Sequence, residues 1–227
     1  MSVATGSMGE GTAVWALLYE IADGDRPEYL AWFHDVHIPE KLGRPGYTWA
    51  AHYEVVAGGK IEAGTTGYMA FFGASTTRPL LDPSPAQLKD RQDDLTRRMM
   101  GLRRNGRGFV TSEEWRSDGR EAARAHAPVV ELTLCEAGGN DDPLGAWLVQ
   151  GCARVFARQA GCRRMRKLLV AIGPAKHGSL LEFDSAAARD AFEGELARDE
   201  RTREVRSVCS LKGGTPLVGS RIWPPVG

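Results

Sequence analysis

The chain is short of several things that would give it an easy reading. It has four cysteines in 227 residues, all at or beyond Cys135 and no two in Cys-x-x-Cys spacing. That excludes a zinc ribbon or thioredoxin-type motif and leaves buried thiols in a reduced, cytoplasmic protein as the expectation. Net charge is absent too, with 29 acidic against 29 basic residues. No global field draws the molecule to nucleic acid or to an anionic membrane surface. No apolar run approaches the ~20 residues that cross a bilayer. Residues 1–11 lack the positive start and apolar core of a secretory signal and read as a flexible leader. Gly-rich phosphate loops, Gly-x-Ser-x-Gly elbows and Cys–His nucleophile signatures are also missing. The expectation is therefore chemistry on a small molecule with neither a cofactor nor a metal.

Histidine is scarce as well, and its placement is uneven. Of five in the chain, His34, His37 and His52 fall within one stretch of nineteen residues. Imidazole changes charge near neutral pH, so such clustering points to proton transfer, ligand polarisation or metal binding. Asp25, with Pro27 and Glu28 behind it, can start a helix. Tyr29, Trp32, Phe33 and Val36 then recur at helical spacing. With Tyr29 at zero on a wheel of about 100° per residue, His37 falls at about 80°, on the border of the apolar stripe. His34 lies farther toward the polar side, at the mouth of any space the helix covers. Ile38 precedes Pro39, which predicts that the helix stops near His37. There the negative end of the helix dipole favours imidazolium while burial opposes it, so His37 is expected to titrate near neutrality. His34 and His37 have usable metal-ligand spacing, but no motif places a third ligand.

Strand and helix signals alternate along the rest of the chain. Val14–Tyr19, a strand through Val55, Gly67–Phe72 and Phe109–Trp115 are β-prone. Ser84-Pro85-Ala86-Gln87 is a capping box, predicting a helix that turns Leu88, Leu95, Met99 and Leu102 inward. In the second strand, Thr48, Ala50, His52 and Glu54 share one face, and Trp49, Ala51, Tyr53 and Val55 the other. The more apolar set is expected beneath the helices, with His52 and Glu54 facing the space between two sheets.

The second half repeats the first. A shift of 115 residues brings Trp32 onto Trp147, Gly46 onto Gly161 and Val55 onto Val170. Pro128–Leu134, Pro143–Gln159 and Arg163–Ile172 repeat strand, helix and strand, and Trp115 and Trp223 end the two halves. Each half reads strand, helix, strand, strand, helix, strand, the ferredoxin-like pattern. The predicted class is α+β: two fused ferredoxin-like units, residues 12–116 and 128–227, joined by a linker at 117–127. Their antiparallel sheets cover each other to form an α/β barrel within one chain. The basic group Arg163, Arg164, Arg166 and Lys167 is expected to form surface charge or salt bridges between the units.

Trp32-Phe33, His37-Ile38-Pro39, Pro45-Gly46 and the strand ending His52-Tyr53 resemble the EthD-like branch of the dimeric α/β-barrel superfamily. The resemblance is specific over residues 14–55 and only topological beyond them. It implies ferredoxin-like units in a barrel, working as a monomeric pseudo-dimer or a homodimer. His37 matches the family histidine, whereas His52 stands where arginine is common. The positions matching His37 and His34 in the second half are Cys152 and Val149, so that half is expected to be degenerate scaffold.

The superfamily hosts many chemistries, so the fold does not choose among them. The residues favour a cofactor-independent lyase, dehydratase or isomerase acting on an aromatic or carbonyl-containing metabolite. His37 would move a proton, and His34 or His52 would supply the complementary group. Trp32, Trp49, Tyr19, Tyr53, Tyr68 and Glu54 are the candidate substrate-binding residues. A non-catalytic ligand- or haem-binding protein and an accessory protein of an oxidative pathway are the competing expectations.

Overall fold

β-branched and aromatic runs become strands, and two successive β-α-β-β-α-β runs carry the chain. The computed structural model describes residues 12–120, 126–173 and 175–226; the expected leader at 1–11 lies outside them. The first run comprises β1 (Ala13–Ala22), α1 (Arg26–Trp32), a π turn (Phe33–His37), α2 (Ile38–Leu42), β2 (Tyr47–Gly58), β3 (Thr65–Ala74), α3 (Pro85–Lys89), α4 (Asp94–Gly101) and β4 (Arg104–Asp118). The second comprises β5 (Val129–Glu136), α5 (Asp141–Trp147), a π turn (Leu148–Cys152), α6 (Ala153–Arg158), β6 (Cys162–Ile172), β7 (His177–Phe183), α7 (Ala186–Leu196), α8 (Glu200–Val208), β8 (Ser210–Leu211) and β9 (Leu217–Trp223).

The strand order is β4-β1-β3-β2 in the first run and β9-β5-β7-β6 in the second. β2 pairs with β9 and β4 with β6, all antiparallel, which closes an eight-stranded barrel. The expected α+β barrel within one chain is present. Its interior is built mainly from apolar side chains, Leu18, Phe71, Phe109, Leu132 and Leu180 among others, with Arg166 and Glu182 buried beside Phe71 and Leu180. Each run packs its helices on the outside of its own four strands, over separate aromatic cores.

The seam between the runs holds the basic group. Arg166 bonds Glu113 across β4–β6 at 2.8 Å and Glu182 on β7 at 3.1 Å, and Lys167 meets Glu114 at 3.3 Å. The pairs to Glu113 and Glu114 are the expected inter-unit ion pairs, the one to Glu182 lies within the second run, and Arg166 and Lys167 are buried rather than superficial. Buried pairs of this kind are costly to break, because the surviving charge loses its partner. Ser117 and Asp118, read from sequence as the start of the linker, belong to β4.

Three local expectations fail, each for a physical reason. The first helix does not stop near His37. Ile38 is helical at φ −63°, ψ −49°, and its N–H bonds to the carbonyl of Phe33, five residues back. The wide π turn places Pro39 at the start of α2, where a missing N–H is tolerated. The extra residue also rotates everything after it, so that Val36 is exposed while His37, Ile38 and Lys41 are buried. The Ser84 capping box forms as expected, but a second cap at Asp93 starts α4 afresh. That new phase leaves Leu95 exposed and turns Met99 inward.

The faces of β2 are also the reverse of the expectation. Ala51 and Tyr53 point into the barrel core, whereas Ala50 packs in the helix layer. His52 therefore sits beneath the helix, not between the sheets. Tyr53 stays soluble in the apolar barrel because its hydroxyl donates to the Ala127 carbonyl at 3.1 Å.

Candidate active site

The site is assembled between the first sheet and its helices, and its organiser is Phe33. That ring is fully buried. It lies 5.2 Å from the His37 ring on one side and 4.7 Å from the His52 ring on the other. The three histidines thus fall into two groups with a hydrocarbon ring between them.

On one side His34, His52 and Tyr19 form a continuous hydrogen-bonded chain. His34 Nε2 meets His52 Nδ1 at 2.8 Å, and His52 Nε2 meets the Tyr19 hydroxyl at 2.8 Å. His52 has no exposed surface, while His34 is half-buried and stacks 6.4 Å from Trp223 of β9. Burial pushes the proton affinity of His52 well below the ordinary imidazole range, reinforced by His34 and Arg103. Burial also lowers that of His34. Both rings are therefore neutral around pH 7.

On the other side, His37 lines a cleft of about 840 Å³ between the sheet and the α2, α3 and α4 region. Ligand-sized sites run from about 300 to 1,000 Å³. Trp32 packs 4.7 Å from the His37 ring. Among the described residues neither nitrogen of His37 has a hydrogen-bond partner, and its Nδ1 is fully buried. Buried polar atoms are nearly always paired, so an unpartnered imidazole beside a cleft is an exception that needs an account. Burial, followed by the charges of Arg103, Lys41 and Arg44, pushes the His37 pKa down to about 2. The expectation of titration near neutrality fails, because the helix continues past His37 and three cations replace the anticipated dipole end.

The rest of the cleft is cationic. Lys41, Lys89, Arg97, Arg103 and Arg107 line it, and no aspartate or glutamate does among the described residues. Lys41 is buried and touches Glu40 at 3.2 Å, and burial lowers its proton affinity. Arg103 donates through Nε to Tyr29 at 2.7 Å and lies 4.5 Å over the Tyr19 ring, while its buried Nη2 has no partner. Trp15, Leu17, Met100 and Val110 give the walls apolar area.

The residues read from sequence are distributed accordingly. His37 and Tyr19 line the cleft; His34 and His52 lie behind Tyr19; Trp32 packs against His37. Tyr68 stacks 5.0 Å from His52, and its hydroxyl accepts from Arg26 Nε at 2.8 Å. Arg26 also bonds Glu54 at 2.7 Å, which places Glu54 and Tyr68 at the edge of the histidine chain. Trp49 and Tyr53 are not part of this assembly. Tyr53 belongs to the barrel core, and Trp49 packs against it near His126 and Arg166.

Lys41 and Arg103 were missed by sequence reasoning. Lys41 had a signal, one turn beyond His37, but only if the helix was carried through Pro39. Arg103, in the bend before β4, had none. The same layer of the second run has a pocket of only about 210 Å³, with Cys152 at the place of His37.

No protein-family model matches the chain, and neither does any curated protein sequence. Solved structures do match in three dimensions. An anthrone oxidase-like protein is 16% identical, with 95% of this chain and 93% of that one covered at a TM-score of 0.58. A chlorite dismutase variant from Candidatus Nitrospira defluvii, in complex with cyanide, is 10% identical over 97% and 95% at 0.59. A proposed monooxygenase from Lactobacillus acidophilus NCFM is 13% identical over 92% and 94% at 0.56. The fold is that of the dimeric α/β-barrel proteins. At such identities the likeness speaks for the fold alone, across the full length of both chains. No helix among the described residues is long and apolar enough to cross a membrane.

Proposed function

We propose that the chain is a small-molecule enzyme that enolises an anionic, aromatic carbonyl compound in the His37 cleft, as a cofactor-independent isomerase or lyase would. The observation that carries this is a neutral, unpartnered imidazole set among cations in a cleft that no acid lines among the described residues. A carbonyl oxygen lodged near Arg103 and Lys41 is polarised toward an enolate. The proton on the adjacent carbon then passes to a free ring nitrogen of His37. The C–H pair becomes the C=C bond, and the carbonyl π pair moves onto oxygen.

His37 is a weak base in the empty cleft, because the cations around it oppose imidazolium. The enolate changes that balance. As negative charge develops, it offsets Lys41 and Arg103 and gives imidazolium a counter-charge. The stabilisation is therefore larger in the transition state than in the ground state, which is what acceleration requires. Aromatic walls and outer cations suit a substrate with an aryl ring and a carboxylate. The EthD-like resemblance of residues 14–55 and descent of the two runs by duplication fit this reading, in which one run keeps the site and the other is scaffold. A chain working as a monomeric pseudo-dimer in the cytoplasm is the simplest form of it.

Phenylpyruvate is a suitable probe, having an aryl ring, a carboxylate and exchangeable hydrogens next to a carbonyl. The chain should speed deuterium incorporation at its benzylic carbon in D₂O, followed by proton NMR. His37→Ala should lower that acceleration by about 100-fold or more, the usual worth of a positioned acid or base. Equal incorporation by the variant would sink the assignment. If the protein takes up haem instead, a Soret band lost with His37→Ala would make His37 the residue that holds it.

A further inference from the structure

The enolisation above leaves the longest buried polar chain in the first run unused. Tyr19, His52 and His34 are linked by two contacts of 2.8 Å, and only Tyr19 lines the cleft. At the other end His34 is half-buried beneath Trp223. We propose that these three residues form a proton-delivery relay, with the Tyr19 hydroxyl as the acid that meets the bound molecule and His34 as the end supplied by water.

A neutral imidazole has one N–H and one lone pair. His52 uses both nitrogens, so the chain must carry its hydrogens all one way or all the other. Delivery is the change from one arrangement to the other. Tyr19 gives its hydroxyl proton to the enolate oxygen, whose lone pair forms the new O–H bond. The Tyr19 oxygen takes the Nε2 proton of His52. His52 Nδ1 takes the Nε2 proton of His34, and His34 Nδ1 takes one from surface water, whose hydroxide is neutralised by the proton that His37 releases to solvent. One proton enters at the surface, one leaves to the enolate, and no charge rests on the buried ring.

Two further observations favour a working relay over a structural one. Phe33 stands between His37 and His52, at 5.2 and 4.7 Å. That ring keeps the proton taken by His37 from returning directly through the chain. The matching place of the second run also carries no imidazole pair: the 115-residue shift puts Lys167 at the place of His52, and Lys167 meets His177 Nδ1 at 3.1 Å there. His52 and His34 are positioning residues in this scheme, and Tyr19 is the catalytic one.

The proposal rests on the enolisation reading, and its test separates the two. With phenylpyruvate, deuterium incorporation reports proton abstraction, and enol release, trapped with borate and read by ultraviolet absorbance, reports protonation of the oxygen. His52→Gln and His34→Gln should each lower enol release tenfold or more while leaving incorporation within about threefold. A merely structural role would lower both together and overturn the relay. If the wild-type chain gives no incorporation, the enolisation reading fails by itself. The relay is then judged without substrate, in nitrogen-15-edited NMR. The His52 ring N–H should exchange with water at least tenfold more slowly in His34→Phe than in the wild type. Unchanged exchange there would overturn it.

Discussion

Buried neutral histidines have a cost in acid. The His37 pKa is pushed to about 2 and that of His126 to about 4, and His52 moves the same way, each chiefly by burial. Unfolding returns them to about 6.5. Below that value the unfolded chain binds protons that the folded chain refuses. Stability is therefore fully present above pH 6.5 and is lost as the pH falls through the window toward the folded values. At pH 5.5, one unit below the unfolded value, His37 alone removes roughly 1 kcal/mol. His37→Phe should accordingly narrow the stability difference between pH 7 and pH 5.5 by about that amount, measured by urea unfolding. An unchanged difference would mean that His37 is protonated in the folded chain. The clustering of three histidines was legible in the sequence, and so was their proximity to aromatics. Which of them touch was not, because pairing of His34 with His52 depends on the face of β2 that meets the helix. Alternation along a strand separates two faces but does not say which layer each one meets.

At the scale of elements, the π turn and one glycine aim the site. The turn at Phe33–His37 has a counterpart at Leu148–Cys152, 115 residues on. The widened turn is thus a property of the architecture, and the imidazole is what the first run adds to it. A wheel of constant pitch could not reveal the extra residue, which is why Val36 read as core and Lys41 went unnoticed. The turn from α2 into β2 depends on Gly46, at φ +87°. A Cβ there would lie 2.4 Å from Pro79 Cγ. Gly64 has a similar φ of +77° with nothing within 4 Å. Gly64→Ala should cost only the left-handed backbone penalty of about 1–2 kcal/mol. Gly46→Ala should cost more, because a ring must also move, and comparison of the two denaturation midpoints checks it. Equal losses would show that Pro79 yields freely. The glycine was visible in the sequence as a repeated position, Gly46 on Gly161, but the clash that demands it belongs to the tertiary structure.

At the scale of the whole molecule, the fold was the most legible part. The repeat of strand and helix signals at one spacing carries the topology, and the barrel follows once each open sheet face needs a cover. The cleft was the least legible. Its cations come from α2, α3, α4, the bend before β4 and β4 itself, separated by up to 66 residues between Lys41 and Arg107. A chain of zero net charge gives no hint that five of its basic residues line one cleft whose described lining includes no acid. That concentration is what makes an uncharged His37 compatible with proton chemistry. The central claim is that an anion in the cleft, and not the protein by itself, gives His37 its proton affinity.

The most direct measurement is a nitrogen-15 NMR titration of the His37 ring, free and with saturating phenylpyruvate. The free protein should keep His37 neutral from pH 8 down to the lowest pH at which it stays folded. With the anion bound, protonation should set in at higher pH, and Arg103→Ala should weaken binding of the anion tenfold or more. A His37 that titrates near 6.5 in the free protein and ignores the anion would contradict the account.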